Sequence, residues 1–411
     1  MPNTLVTPTW VTFEVAKYFV NSLRGVAQFT RKYSDEYVQS GAKVGDTVKV
    51  RLPQQYEVSE GEALVVQNFQ DRTVNLILNR RRHVGFGWSS AQETTDLDDI
   101  RSRYVTPAAE TLAAHYDRIS MADVYKSVYN MVGTLGTVPN ALLTYGQAKV
   151  KIQDLAGPDT GLRAILDPMA HITIADGLRA LFHPGSLISK ATKQGLIAEE
   201  AVGIAEWYTD QNVPTFTTGS VGGAGGTPLV NGAGQTGSSL VTDGWASGTS
   251  ILKKGDIITL AGVRSVNPVS KESTGRLQQF VLTADVSDTT GAITMSISPS
   301  IITSGPLQNV DAAPADNAVL TYWAMAAGGT QAATVSKQNL VFHPEAFATV
   351  MADLTMPNAG AKGTRVNSKS LSMALRYVEQ FDITTDQNLN RLDILFGNAP
   401  IQERMAVRVV Q

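Results

Sequence analysis

The chain has 411 residues, of which 43% are hydrophobic and 17% charged, and its 34 Lys and Arg against 37 Asp and Glu leave a formal net charge of -3. A length of this order holds two or three compact domains, and the near-neutral balance argues against a nucleic-acid binder driven by bulk charge. The chain has no cysteine, which excludes disulfides, thiol nucleophiles, thiolate metal sites and iron–sulfur clusters. The charged share lies below the usual quarter, so the surface carries many small neutral groups, as suits either a protein largely covered by its neighbours or one with Ser/Thr/Gly-rich loops. The histidines His83, His115, His171, His183 and His343 never fall within four residues of one another, so no local pair is spaced to grip a metal. Met1 to Trp10 shows no basic region followed by an apolar run, and no stretch of eighteen apolar residues occurs. The expectation is a soluble chain acting in the cytoplasm.

In chain order, Thr12 to Val38 reads as a loosely amphipathic helical arm, docked on its own core or reaching a neighbour. From Asp46, Thr47-Val48-Lys49-Val50-Arg51-Leu52-Pro53 alternates apolar and polar residues as a half-buried strand does. A second alternating run starts at Thr73, with Val74, Leu76 and Leu78 on one face and Val84, Phe86 and Trp88 continuing the parity past Arg80 and Arg82. Sixteen residues at ~3.3 Å each reach roughly 50 Å, too long a ribbon to bury itself unaided. It packs along its own domain or on another subunit; two ordinary strands broken at Arg80-Arg81-Arg82 are the plainer alternative. Thr95-Asp96-Leu97-Asp98 has capping-box spacing, and Pro107 opens an uninterrupted helical stretch predicted to run to Val132, with Gly133 as its cap. Tyr145 to Ala156 reads as helix, Leu162 to Asp167 as strand, and Ile174 to Phe182 and Ile197 to Trp207 as short helices. Thr215 to Thr249 is rich in Gly, Ser and Thr, and residues 251 to 325 read as a small all-β domain. Mixed, partly helical patterning returns at Asn339 to Leu354. The alternating run at Leu371 to Tyr377, then Arg391 to Gly397 and Met405 to Val410, predict a closing antiparallel sheet over the long helix, an α+β arrangement.

Tests for chemistry fail on context. Gly232-Ala233-Gly234-Gln235-Thr236-Gly237 matches a dinucleotide-binding pattern, but the residues after it do not read as the helix whose N-terminus the pyrophosphate needs. No phosphate-loop lysine motif, zinc-protease helix motif or nucleophile elbow is present. His343-Pro344-Glu345 reads as a helix start. No catalytic, cofactor-binding or metal-binding residue is assigned, and no cofactor is expected. Arg80-Arg81-Arg82-His83 is the densest basic cluster, and contact with solvent or with a neighbouring subunit ranks above contact with nucleic acid.

The order of parts resembles the Hong Kong 97 fold of tailed-phage major capsid proteins. More narrowly, it is similar to the phage P-twenty-two coat-protein family, whose members carry an additional inserted β-barrel domain. The stretches that carry the likeness are Leu252 to Val263, Thr294 to Ile302, Asp210 to Gly219 and Arg391 to Gly397. The resemblance implies an N-terminal arm over 1–45 and an extended β-hairpin loop over 46–90. It implies a peripheral domain from 91–140 and 362–411 with a spine helix over 107–132, an axial domain from 141–219 and 335–361, and an inserted barrel-like β domain over 220–334. The Gly/Ser-rich stretch departs from the family pattern, so no contact residues are carried onto it.

On this reading the chain is a major capsid protein that self-assembles, as pentamers and hexamers, into the icosahedral shell of a virion built in the bacterial host cytoplasm. The shell forms through a scaffolded precursor that expands as DNA is packaged. A scaffolding protein, a portal and a decoration protein are the other partners implied. Double-stranded DNA is enclosed without sequence-specific binding, and no membrane is involved. Arg80, Arg81, Arg82, Phe86 and Trp88 are the candidate inter-subunit contacts. Two other readings compete: a cellular nanocompartment shell of the same fold, and a structural protein whose β domain binds a ligand or carbohydrate. The inserted β domain counts against the first of these, and a catalytic role lacks any constellation that passes a spacing test.

Overall fold

The structure, a computed structural model, describes residues 15–20, 22–33, 47–62, 64–67, 71–89, 104–178, 202–221, 227–245, 248–288, 292–323, 332–357, 362–368 and 373–411. The chain is α+β and separates into two compact units. Unit 1 is Met1–Arg51, Thr73–Met121 and Phe347–Ile401; unit 2 is Leu52–Arg72, Ala122–Ala346 and Gln402–Gln411. The capping box at Thr95 to Asp98, His183 and much of the expected N-terminal arm lie outside the described residues.

Helix α1 (Thr106–Tyr125), of which Thr106–Met121 belongs to unit 1, takes Pro107 in its first turn, where a missing N–H costs no helical hydrogen bond. Its buried stripe Ala109, Leu112, Ala113, Tyr116 and Ser120 follows helical spacing. Tyr116 fixes the packing. Its ring meets Phe396 edge-on at 4.6 Å and stacks on Phe19 at 5.9 Å, and its hydroxyl shares a 2.7 Å hydrogen bond with Thr349 Oγ1. Burial pushes the phenol up to about 12, so it is neutral throughout the physiological range. The neighbouring Asp117 is fully buried and accepts the backbone N–H groups of Arg24 (3.0 Å), Gly25 (3.1 Å) and Val26 (2.6 Å). One carboxylate thereby ties the N-terminal segment to the helix.

The sheet that receives Tyr116 contains β3 (Arg80–Ser89), β17 (Phe347–Ala352), β18 (Lys362–Ser368), β19 (Met373–Asp382) and β20 (Gln387–Pro400). The ribbon of β1 (Thr47–Arg51) and β2 (Thr73–Ile77) is shorter than the sequence suggests, running from Thr47↔Ile77 to Arg51↔Thr73. The second arm breaks at Leu78-Asn79, and β3 pairs with β20 along ten positions, from Arg80↔Phe396 to Ser89↔Gln387. Gly397 permits the crossing, because a Cβ there would fall on the Ile77 carbonyl.

In unit 2, the sheet order is β4 (Met131–Gly133), β21 (Ala406–Val410), β16 (Val335–Phe342), β5 (Arg163–Leu166) and β6 (Glu206–Thr209), with β7 (Thr215–Thr217) on the first part of β16. Helix α2 (Leu142–Asp154) lays Tyr145, Ala148 and Ile152 against Leu162, Leu166, Val341, Val407 and Val409; helix α3 (Pro168–Leu178) follows β5. Several expectations change here. The long helix ends at Tyr125, six residues after which β4 pairs in parallel with β21. Gly133, with φ +97°, closes against Val410 rather than capping a helix. Residues 202–209 form a turn and β6 rather than helix, and Asn339 to Leu354 is mostly strand, with a 3-10 turn over Pro344–Ala346. The closing strands also divide: β20 lies in unit 1 and β21 in the sheet of unit 2.

Also in unit 2 are β8 (Leu229–Val230), β9 (Gly237–Asp243), β10 (Gly248–Leu252), β11 (Ile257–Val266), β12 (Ser273–Leu282), β13 (Val286–Asp288), β14 (Ile293–Ile301) and β15 (Leu320–Tyr322). β10 and β13 form a two-stranded ribbon, and the others run β15-β11-β12-β14-β9-β8. The two ends meet. Val230 N–H donates to Ala318 O and Leu320 N–H to Pro228 O, both at 2.9 Å, and Leu229 bridges Val319. The sheet therefore closes into a barrel, filled by Leu240, Ile258, Leu260, Phe280, Met295, Ile297 and Tyr322 among others. The Gly232 to Gly237 stretch is a turn running into β9, so no helix N-terminus meets it.

Asp117→Ala leaves three N–H groups without their acceptor, at roughly 1–3 kcal/mol for each one orphaned. We expect a loss of about 3 kcal/mol in urea unfolding with the slope of the transition unchanged.

Candidate functional site

Three features of the molecule stand out chemically, and none has the form of an active-site cleft. The first is the polar face of the unit 1 sheet. Directly paired residues in an antiparallel sheet share a face, so Arg376, Asp393 and His83 lie in one row across β19, β20 and β3. Asp393 is wholly buried and is ringed by guanidinium groups: Arg376 Nη2 at 2.6 Å, Arg391 Nε at 3.0 Å and Arg81 Nη2 at 3.5 Å. Burial alone works to raise its carboxyl, but the hydrogen bonds and charges of Arg376 and Arg391 outweigh it and hold the group below the usual carboxylate range. On the same sheet, Arg365 of β18 pairs with Asp353 at 3.0 Å.

The residues expected to meet neighbours separate accordingly. Arg81 is half exposed and bound to Asp393; Arg80 and Arg82 share the opposite face with Phe396 and Ile394. Arg82 Nη1 donates to the Arg81 carbonyl at 2.8 Å. Phe86 is half-buried beside Trp88, and Trp88 is buried at 5% exposure against Tyr104, making it a core residue of its own sheet. The sequence reading missed Asp393, Arg376 and Arg391. The period-two spacing of Arg391 and Asp393 in a strand pattern was their available signal, since it puts both charges on one face.

The second feature is the seam of unit 2 between the barrel and the α2/β21 region. Its apolar part joins Tyr129, Met131, Leu155 and Val410 to Ile257 and Val281 of the barrel. Around this lie buried ionisable groups. Arg408, in the middle of β21, donates from Nη2 to the Gly255 carbonyl at 2.9 Å and is 1% exposed. Asp256 accepts the N–H groups of Lys253 (2.7 Å) and Gly219 (3.0 Å), its carboxyl raised by burial against those hydrogen bonds. Lys151 of α2 donates to Met131 O (2.8 Å) and Gln279 Oε1 (2.6 Å); burial, then the charge of Arg276, lower its ammonium to about 8. Glu403 receives one 3.4 Å hydrogen bond from Ser298 Oγ of β14, and burial raises its carboxyl to about 7. A cavity of about 20 Å³, lined by Asn130, Lys151, Asp154, Ser265, Arg276 and Gln279 among others, has room for about one water.

The third feature is apolar surface on connections. The loop between β1 and β2 exposes Val58 and Leu64, each at 89%, with Val65 and Val66, and the turn between β19 and β20 exposes Ile383. Among the described residues no three His, Asp or Glu side chains are grouped to hold a metal. No helix among them is long and apolar enough to cross a membrane.

A family model described as "P22 coat protein - gene protein 5" matches residues 13–409. The chain belongs to this family. Its role as a coat protein is structural rather than enzymatic: it assembles with copies of itself into a shell and is a component of the virion. The Hong Kong 97-like α+β fold agrees with this assignment. The coat protein is also similar to solved structures. One titled "Mycobacterium phage Che8" is 11% identical with a TM-score of 0.43, over 95% of this chain and 90% of that one. The mature capsid of bacteriophage PhiM1 is 9% identical with a TM-score of 0.41, over 89% and 82% of the two chains. The CUS-3 coat protein I-domain is 27% identical over 25% of this chain and 97% of its own, with a TM-score of 0.19. No curated protein matches the coat protein.

Asp393→Ala strands the cluster's guanidinium groups, and we expect it to cost roughly 3–5 kcal/mol in chemical denaturation, the range for breaking a buried ion pair. Because the folded carboxyl titrates below its unfolded value, its stabilisation is complete above the ordinary carboxylate range and is lost as pH falls through the folded value. Glu403 has the opposite sign. Its folded pKa is raised from 4.5 to about 7, so stability is highest at and below 4.5 and declines as pH rises through 7. Glu403→Gln is expected to flatten the melting temperature of unit 2 between those limits and to raise stability at pH 8 by on the order of 2–3 kcal/mol.

Proposed function

We propose that this coat protein is the major capsid subunit of a tailed phage, closing as pentamers and hexamers into an icosahedral shell around double-stranded DNA. The match of the coat-protein family over residues 13–409 carries this reading. Three structural features support it. Its exposed apolar side chains are spread over several connections and helix faces, among them Val58 and Leu64 of the β1–β2 loop, Leu143, Val269 and Ile383, as suits a subunit that works through surface area. The β1–β2 ribbon, only five pairs long, carries a loop of residues 52–72 with strongly exposed Val58, Leu64 and Val66. The closed barrel has its own core and lies in sequence between β7 and β16, with both ends returning to the same sheet, the arrangement of an inserted domain.

On this reading the shell forms in the host cytoplasm on a scaffolding protein, incorporates a portal, and expands when DNA enters, with a decoration protein as a possible addition. Arg80, Arg81, Arg82 and Phe86 remain the proposed contacts of β3 with a neighbouring subunit, which the half-exposed guanidinium of Arg81 supports; Trp88 supports that strand from inside. DNA is held without sequence-specific contacts.

Negative-stain electron microscopy of the purified protein, alone and co-expressed with the scaffold from the same genome, is expected to show closed particles of uniform diameter. A monomer that persists under both conditions, at every protein and salt concentration tried, would overturn the reading.

A further inference from the structure

We infer that Gln279 is a latch that registers the barrel on the rest of unit 2 by standing in for a missing edge strand beside β4. The residues of a strand in a parallel ladder alternate in sending their N–H and C=O groups to one side and the other. The Asn130 carbonyl faces β21, accepting the Arg408 N–H at 2.8 Å. Met131 therefore faces away, and β4 is the last strand of its sheet on that side. An open edge of this kind is a template for strand addition from a second copy.

The Gln279 carboxamide takes both outward groups of Met131. Its Oε1 accepts the Met131 N–H at 2.8 Å, and its Nε2 donates to the Met131 carbonyl at 3.1 Å. This is the donor–acceptor pair that a neighbouring strand would offer, supplied by one side chain of β12. Lys151 braces the pair from α2, donating to the same carbonyl and to Gln279 Oε1. Gln279 is 6% exposed and Met131 3%, so neither has ready access to replacement hydrogen bonds from water. A second contact lies beside the latch: Arg276 pairs with Asp154 at 3.3 Å, and Asn267 Nδ2 donates to the Asp154 carbonyl at 3.0 Å. The latch explains why a polar residue is buried on the outside of the barrel, where an apolar side chain would fill the seam equally well. It makes Gln279 a positioning residue, acting through Met131 and independent of how shells form.

The test is peptide-resolved hydrogen–deuterium exchange on the full-length protein, comparing the parent with Gln279→Leu and Gln279→Glu. In Gln279→Leu, exchange at Met131 is expected to rise roughly ten- to a hundredfold while β11 and β14 keep their protection. The same variant is expected to scatter more light with rising concentration, as freed β4 edges pair. Gln279→Glu retains an acceptor for the Met131 N–H and a partner for Lys151, so its Met131 exchange stays within about threefold of the parent. Unchanged protection at Met131 in Gln279→Leu overturns the inference, as does uniform loss of protection through barrel and sheet alike. If Gln279→Leu proves insoluble, Gln279→Met decides: it keeps the length of the side chain but removes both hydrogen bonds to Met131, so loss of Met131 protection supports the latch and unchanged protection overturns it.

Discussion

Unit 1 depends on a single strand having partners along both of its edges. β20 pairs with β3 over Gln387 to Phe396, with β19 over Gln387 to Asp393 and with β17 over Leu395 to Pro400. Residues 387–393 bind β3 and β19 together, so those two strands lie on opposite edges, and β17 continues the β19 side. The strand also sends Phe396 to one face, under Tyr116, and Asp393 to the other, among three arginines. β3, from some three hundred residues upstream, is thus held in register with β17 and β19 by the fourteen residues of β20. The hydrophobic face supplies most of the adhesion. The buried carboxylate supplies selectivity, because a one-residue slip of β3 or β19 would turn Arg81 or Arg376 to the apolar side.

Unit 2 solves a related problem with different chemistry. Its barrel and its mixed sheet each have a core, and the seam between them is unusually polar for a surface so well covered. Arg408, Lys151 and Glu403 all sit there with their charged forms disfavoured by burial. Such groups seldom increase stability over well-packed apolar residues of similar size, whereas removing one partner from a satisfied set is costly. The signs also differ with pH. The cost of Lys151 is present below about 8 and is relieved as pH rises toward its unfolded value; that of Glu403 grows on passing upward through 7. What the polar seam provides is orientation: Gln279, Lys151 and Arg408 reach specific backbone atoms, which apolar packing by itself does not specify.

Much of this was legible in the sequence because local pattern and tertiary environment agree. Thr47 to Arg51 alternates as a strand and the helix after Pro107 carries a helical stripe, while Arg163 to Leu166 reads as a short apolar strand without alternation. The failures share a physical cause. Met131 and Val132 continue the helical stripe of α1, yet β21 offers them a parallel partner from the far end of the chain, and a pairing across some 280 residues leaves no local trace. In the run from Thr73 to Trp88 the interruption at Arg80 and Arg82 allows two strands with a break at Arg80-Arg81-Arg82, but the parity carries on past it, so the alternation does not place the break at Leu78-Asn79. The crossing there is permitted by Gly397, more than three hundred residues away, which has no Cβ to obstruct the Ile77 backbone.

The same reasoning bears on the candidate site. Charge density singled out Arg80 to Arg82, but density does not indicate which arginines are already engaged. Register does. Arg81 shares a face with Asp393 and is partly neutralised by it, whereas Arg80 and Arg82 point with Phe396 and Ile394 toward the apolar side. Trp88, a candidate contact that continues the alternating run, is buried with its ring against Tyr104. In a protein that functions by covering surface with surface, the residues free to meet a neighbour are those left over after the chain has satisfied itself. On β3, Arg81 keeps its guanidinium half exposed even while it pairs with Asp393, on the face opposite Phe396 and Ile394. The β1–β2 loop by itself exposes Val58, Leu64, Val65 and Val66, a set of apolar side chains that its own chain leaves uncovered.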